Sequence, residues 1–190
     1  MPIDLPPLVY VMGPSGAGKD SVLRFARVNL NTRDNIAFAH RYITRPPDLS
    51  GENHVALTRA EFDARQSAGL FTFDWEAHET CYGIGIEIET WRSVGFVVVM
   101  NGSRTHFAKL APQPANIVPV LITASPQILA TRLARRGREP ESEMIARLQR
   151  EAILPKDQSI TVIDNSGPIE IAGNRFVELL RRVACAPAHA

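Results

Sequence analysis

The chain has 190 residues, 45% hydrophobic and 22% charged, with 21 Lys and Arg against 20 Asp and Glu for a net charge of +1. That length suits one domain with a sizeable core and is short for two. The near-neutral balance excludes a general electrostatic pull toward nucleic acid or membrane, so any phosphate affinity must come from local clusters of Arg and Lys.

Met1 to Pro7 carries Asp4 and three prolines where a secretory signal would need a basic start and an apolar run. No apolar stretch reaches the roughly 18 residues of a membrane span. A soluble, cytoplasmic protein acting on a small molecule, with no nucleic-acid or membrane partner, is expected. Cys81 and Cys185 match no metal or redox spacing, and two free thiols are expected. Oligomeric state has no signal in the sequence.

Leu8–Met12 reads as a first strand, and a helical pattern begins near Lys19. Between them stands Gly13-Pro14-Ser15-Gly16-Ala17-Gly18-Lys19, a glycine-rich loop in the strand-to-helix setting that a phosphate loop requires. The glycines let successive backbone N–H groups converge on a phosphate, and the helix N-terminus adds partial positive charge. Lys19 is the point charge for the β- and γ-phosphates of ATP. The next residue, ordinarily a Ser or Thr that holds Mg²⁺, is Asp20, with Ser21 after it. A carboxylate is also a hard oxygen ligand, so Asp20 is the expected Mg²⁺ ligand, directly or through water, and Ser21 an expected phosphate contact.

Residues 40–45 (His-Arg-Tyr-Ile-Thr-Arg) fall at the end of a second strand. Arg41 and Arg45 are placed to clamp an anionic acceptor, because guanidinium groups bind phosphate bidentately. From about 46 to 94 the texture changes to short strands (54–57 and 70–75), one helix capped by Thr58 with Glu61 and ended by Gly69, and several glycines. This reads as an α+β insertion that closes over the acceptor. His40, His54 and His78 lack metal-ligand spacing and are expected to make ordinary polar contacts.

A β-branched strand at 96–100 ends in Asn101 where an Asp is common, so Asp20 is expected to supply the missing negative charge near the metal. Ile117–Thr123 is another strand. Ser125-Pro126 opens a helix closed by Gly137, with Arg132, Arg135, Arg136 and Arg138 in its last part and Arg147 on the helix beyond. Arg132, Arg135 and Arg136 share one helical face. Behind a phosphate loop they predict an ATP lid at about 135–145, with Arg132 and Arg136 on the nucleotide and Arg138 and Arg147 stabilising the transferred charge. A last strand at 160–163 precedes a helix from about Pro168, with a frayed tail from Ala184. Strands alternating with helices argue for one α/β domain over 1–190, a parallel sheet flanked by helices, with its core at 1–45 and 95–190.

Taken in order, residues 13–20, 40–45, Glu52-Asn53-His54, Tyr82-Gly83-Ile84-Gly85-Ile86-Glu87, Asn101-Gly102-Ser103-Arg104 and the 132–138 run resemble the guanylate kinase-like fold. Within it they resemble the ribose 1,5-bisphosphate phosphokinases of phosphonate catabolism, where Asp20 is the usual residue. The resemblance spans nearly the whole chain. It implies phosphoryl transfer from MgATP to the 1-phosphate of ribose 1,5-bisphosphate, giving 5-phosphoribosyl 1-diphosphate, and places Tyr82 and Asn101 in the acceptor site. Guanylate kinases carry a second arginine where this chain has Pro47-Asp48. They have a hydroxyl pair at Ile84-Gly85 and aspartates near Met100-Asn101-Gly102, all of which count against GMP as acceptor. The loop Asp164-Asn165-Ser166-Gly167 would seat adenine. A nucleoside monophosphate kinase and a non-catalytic module of the same fold remain alternatives, although the intact loop glycines and Lys19 disfavour the second. A GTP-hydrolysing switch would need an Asn-Lys-x-Asp run, which the chain lacks.

Overall fold

The structure, a computed structural model, describes residues 5–46, 54–77, 79–110, 116–134 and 159–185. Along the chain the elements run β1 (Leu8–Met12), α1 (Lys19–Asn29), a single 3-10 turn (Thr32–Asp34), β2 (Ile36–Phe38), β3 (Arg41–Ile43), β4 (His54–Ala56), α2 (Arg59–Ser67), β5 (Phe71–Ala77) and β6 (Thr80–Gly85). They continue as α3 (Glu87–Ser93), β7 (Val97–Asn101), α4 (Arg104–Lys109), β8 (Ile117–Thr123), α5 (Pro126–Ala134), β9 (Thr161–Asp164) and α6 (Ile169–Cys185).

Five strands form a base sheet in the order β2-β7-β1-β8-β9, every pair parallel. Alternation along β1 divides the core. Leu8, Tyr10 and Met12 turn to one face and pack with Ile88, Val98, Met100 and Phe107, under α3 and α4. Val9 and Val11 turn to the other and meet Val22 and Ala26 of α1 and Phe176 and Leu180 of α6. Helices therefore cover both faces, which is why 97–99 can be an unbroken valine run. Each of Phe176 and Leu180, at 0% exposure, contributes about 1.5–3 kcal/mol relative to an exposed side chain. Gly173 faces the Phe25 ring, where a Cβ would collide, so α1 and α6 approach closely.

The second sheet has the order β4-β3-β6-β5, with β3 and β4 parallel and the other pairs antiparallel. Phe73 and Ile84 from its inner face join the core beneath α3 and α4. Its outer face is covered by α2, where the Phe62 and Phe71 rings lie 4.7 Å apart. The chain leaves the base sheet after Ala39, whose N–H donates to the Val99 carbonyl, and the new sheet begins at Arg41, ahead of residue 46.

Local rules explain the element ends. Thr58 accepts the Glu61 N–H and α2 closes before Gly69, which is left-handed at φ 69°. The reciprocal half of that cap is replaced, because the Glu61 carboxylate accepts from Arg65. β7 starts at Val97, one residue later than the strand expected from 96, since the Phe96 N–H donates to Trp91 O and finishes α3. Likewise β9 begins at Thr161 rather than 160, and Ala184 belongs to α6. Cys81 is buried, Cys185 exposed, and both are free thiols. Among the described residues no helix is long and apolar enough to cross a membrane.

Candidate active site

The loop between β1 and α1 has the shape a phosphate demands. Gly16 and Gly18 are left-handed (φ 84° and 81°), and a Cβ on Gly13 would strike the Ile122 carbonyl. Ala17 N–H donates back to Pro14, making a tight turn across Ser15 and Gly16. At the start of α1, Gly18 brings no side chain to cap the first-turn N–H groups, which leaves that end suited to an anion. Lys19 Nζ donates to the carbonyls of Gly13 (2.9 Å) and Pro14 (3.1 Å), so the ammonium curls over the loop. Ser21 lies in the first turn behind it.

The loop is braced from behind. Asn165, 2% exposed after β9, donates through Nδ2 to the Ala17 carbonyl at 2.8 Å. Arg132, in the last turn of α5, donates to Asn165 O at 2.9 Å and reaches the carbonyls of Gly16 and Ala17 at 3.4 Å. In this arrangement Arg132 grips the loop backbone itself. Arg136, Arg138, Arg147, the expected lid at 135–145, Asp48, Glu52 and His78 lie outside the described residues.

In the first turn of α1, Asp20 brings together two of the residues expected for the acceptor. Asn101, which registers beside Val11 at the end of β7, donates Nδ2 to Asp20 Oδ1 at 2.8 Å. Arg41 approaches the same oxygen at 3.8 Å. An Asp at 101 would set two carboxylates against each other, whereas the amide stabilises one. Asp20 keeps 40% of its side chain exposed beside the loop, so its hard oxygens fit a divalent cation there.

From Arg41 a stack runs back into the core. Its guanidinium lies 5.7 Å from the Tyr82 ring centre. Tyr82 stacks on Trp75 (5.4 Å, 6° between planes), and Trp75 on His106 (4.9 Å, 22°). His106 Nδ1 is 2.8 Å from the Tyr10 hydroxyl, which also donates to Ser103 O. The stack ties β1, the strand that presents the phosphate loop, to the sheet that carries Arg41. Arg45 sits half-buried just past β3. Sequence reading missed Trp75, His106 and Tyr10, which look like ordinary core aromatics and are joined only by the fold. Asp74, a conceivable general base, instead accepts from Gln66 of α2 at 2.7 Å.

Burial lowers the His106 pKa, and Lys109 adds to this while Asp74 opposes it. Burial also raises the Tyr10 phenol well above its usual value, so the pair is neutral at pH 7. The unfolded chain takes up a proton that the folded protein resists. Stability is therefore full above the ordinary imidazole value of 6.5 and falls as pH drops below it. His106→Gln should flatten this loss, measured as denaturation midpoints at about pH 8 and about pH 5.5; equal pH dependence in both proteins would contradict the assignment.

No family model matches the chain. It is 49% identical over 179 residues to a ribose 1,5-bisphosphate phosphokinase PhnN of Burkholderia pseudomallei, covering 93% of this chain and 96% of that protein. It is 45% identical over 174 residues to one of the same name from Thiobacillus denitrificans, covering 91% and 92%. Among solved structures, a guanylate kinase from Anaplasma phagocytophilum superposes with a TM-score of 0.67 at 18% identity, covering 97% of this chain and 89% of that one. That likeness establishes the fold alone, and it is the α/β fold expected from the sequence.

Proposed function

We propose that this chain, which belongs to the ribose 1,5-bisphosphate phosphokinase PhnN family, transfers the γ-phosphoryl group of ATP to the 1-phosphate of ribose 1,5-bisphosphate. The products are ADP and 5-phosphoribosyl 1-diphosphate. An oxygen of the acceptor phosphate bonds to the γ-phosphorus, and the bond from that phosphorus to the β–γ bridging oxygen breaks. The nucleophile is already anionic, so no side chain has to remove a proton. Catalysis reduces to positioning and charge stabilisation.

The loop N–H groups and Lys19 hold the β- and γ-phosphates, with Ser21 beside them. Asp20, oriented by Asn101, holds Mg²⁺ directly or through water. The metal supplies charge neutralisation across the phosphates when bound. Arg41 and Tyr82 receive the acceptor, with Arg45 behind them. Arg136, Arg138 and Arg147 belong to the nucleotide and transition-state side in this reading.

The observation that carries this reading is the position of Arg41: a side chain only 13% exposed, its guanidinium near both the Asp20 carboxylate and the Tyr82 ring. Through Asp20 it lies beside the first turn of α1, next to Lys19 and the loop. The positions that would read guanine support a sugar acceptor over GMP. Ile84 is fully buried in the core, and the Glu87 carboxylate fills the space a side chain at Gly85 would need. A site without those contacts discriminates strongly against the base.

Steady-state rates with MgATP should favour ribose 1,5-bisphosphate over GMP by about a hundredfold or more in kcat/KM. A preference for GMP would leave a kinase but overturn the acceptor. Arg41→Ala should raise KM for the sugar bisphosphate about tenfold to a hundredfold, the cost of a charge-assisted contact, with KM for ATP little changed. Equal effects on both would remove Arg41 from the acceptor side.

A further inference from the structure

His54 departs from the expectation of an ordinary polar contact. Both of its ring nitrogens, Nδ1 and Nε2, are buried, and among the described residues neither has a hydrogen-bond partner. A neutral imidazole carries one donor and one acceptor, so either tautomer leaves both unmet, and a protonated ring leaves two donors unmet. Buried polar atoms in folded proteins are nearly always paired, and an apolar side chain would fill the same space without that cost.

The strand register indicates where a partner would come from. His54 lies on β4, the outermost strand of the second sheet, directly opposite Arg41 in a parallel pair. Opposed residues of neighbouring strands share a face of the sheet. On that face Arg41 reaches Asp20 and Tyr82, beside the phosphate loop. Tyr42, one residue on, turns the other way, under the Arg65 guanidinium of α2 at 5.2 Å. His54 therefore stands next to Arg41 on the face from which Arg41 reaches Asp20 at the start of α1.

We infer that His54 is an acceptor-binding residue, donating from a ring nitrogen to a phosphate oxygen of the sugar bisphosphate beside the Arg41 guanidinium. The inference rests on the acceptor reading above. It explains the unmet nitrogens as half of a contact that the substrate completes. It also predicts an unusual pairing of effects, because the residue serves binding at some cost to folding.

The test uses protein labelled with ¹⁵N at histidine, the His54 ring signals being those lost in His54→Leu, titrated first with inorganic phosphate and then with ribose 1,5-bisphosphate. Both ligands should shift the His54 nitrogens. Calorimetry should give about tenfold weaker binding of the sugar bisphosphate to His54→Leu, with ATP binding unchanged and a Tm equal to wild type or higher. His54→Gln, which retains a donor, should recover part of the affinity.

Ring signals that stay fixed while the ligands bind would overturn the inference. So would a His54→Leu variant with lowered Tm and unchanged acceptor affinity, which would make the ring a packing element. If phosphate shifts His54 but ribose 1,5-bisphosphate does not bind, the anion contact stands and the proposed acceptor falls.

Discussion

Replacing Lys19 by Ala should cut turnover by about a hundred- to a thousandfold, the usual cost of removing one preorganised group from a developing charge, while the protein stays folded. The fold should survive because Lys19 is not one of the buried core side chains. α1 is anchored by Val22 and Ala26, both fully buried. The hydrogen bonds that disappear, from Nζ to Gly13 and Pro14, go to carbonyls at the edge of the loop that water can serve. Those same bonds hold the ammonium over the cradle before nucleotide arrives, so little reorganisation is left for the reacting complex. Lys19→Arg should rescue poorly, since a planar fork does not replace a compact point charge inside a tight loop. Circular dichroism and thermal melting check the fold, and single-turnover rates check the chemistry. Substantial residual turnover in the Ala variant would mean that the phosphates sit elsewhere.

The second large effect is expected at Asp20. Its carboxylate is the junction of three elements: it opens α1, accepts from Asn101 at the end of β7, and neighbours Arg41 of β3. Asp20→Ala removes the anion and leaves the Asn101 amide and the Arg41 guanidinium without it. Among the described residues the Asn101 side-chain oxygen is already buried without a partner, so the variant would strand both ends of one amide. Half-saturating Mg²⁺ should rise about tenfold to a hundredfold, read from initial rates over a magnesium titration at saturating ATP. Asp20→Asn should show the same shift with better thermal stability, because it restores an acceptor for Asn101. A magnesium dependence identical to wild type would show that Asp20 only orients Asn101 and Arg41.

The phosphate loop could be read directly because its chemistry is contiguous. A buried strand, three glycines at fixed spacing and a lysine form one uninterrupted run, and the structure bends that run as the spacing requires. Ser125 and Thr58 announced helix starts for the same reason, since a cap acts within three residues of itself. The acceptor side was legible only in part. Arg41 stood out as one of two arginines four apart, but its partners Asp20 and Tyr82 come from α1 and β6.

The stack behind it draws Trp75 from β5, Tyr82 from β6 and His106 from α4. Nothing in local spacing marks those residues as neighbours. Tyr10 looks like any strand aromatic until the fold sets its hydroxyl against His106. Arg132 is the instructive case: helical spacing grouped it with Arg135 and Arg136, and the fold adds that its guanidinium meets the loop carbonyls and Asn165. A charge pattern reveals that a face is basic, but not which carbonyls will meet it.

The measurement that tests the central claim most directly is ³¹P NMR of the product formed from MgATP and ribose 1,5-bisphosphate. Transfer to the 1-phosphate should replace its monoester signal with two mutually coupled diphosphate resonances, leave the 5-phosphate signal in place, and release ADP in equal amount. A new monoester signal with both original phosphates intact would place the transferred group on a sugar hydroxyl. That result would contradict the phosphate-acceptor chemistry proposed for this site.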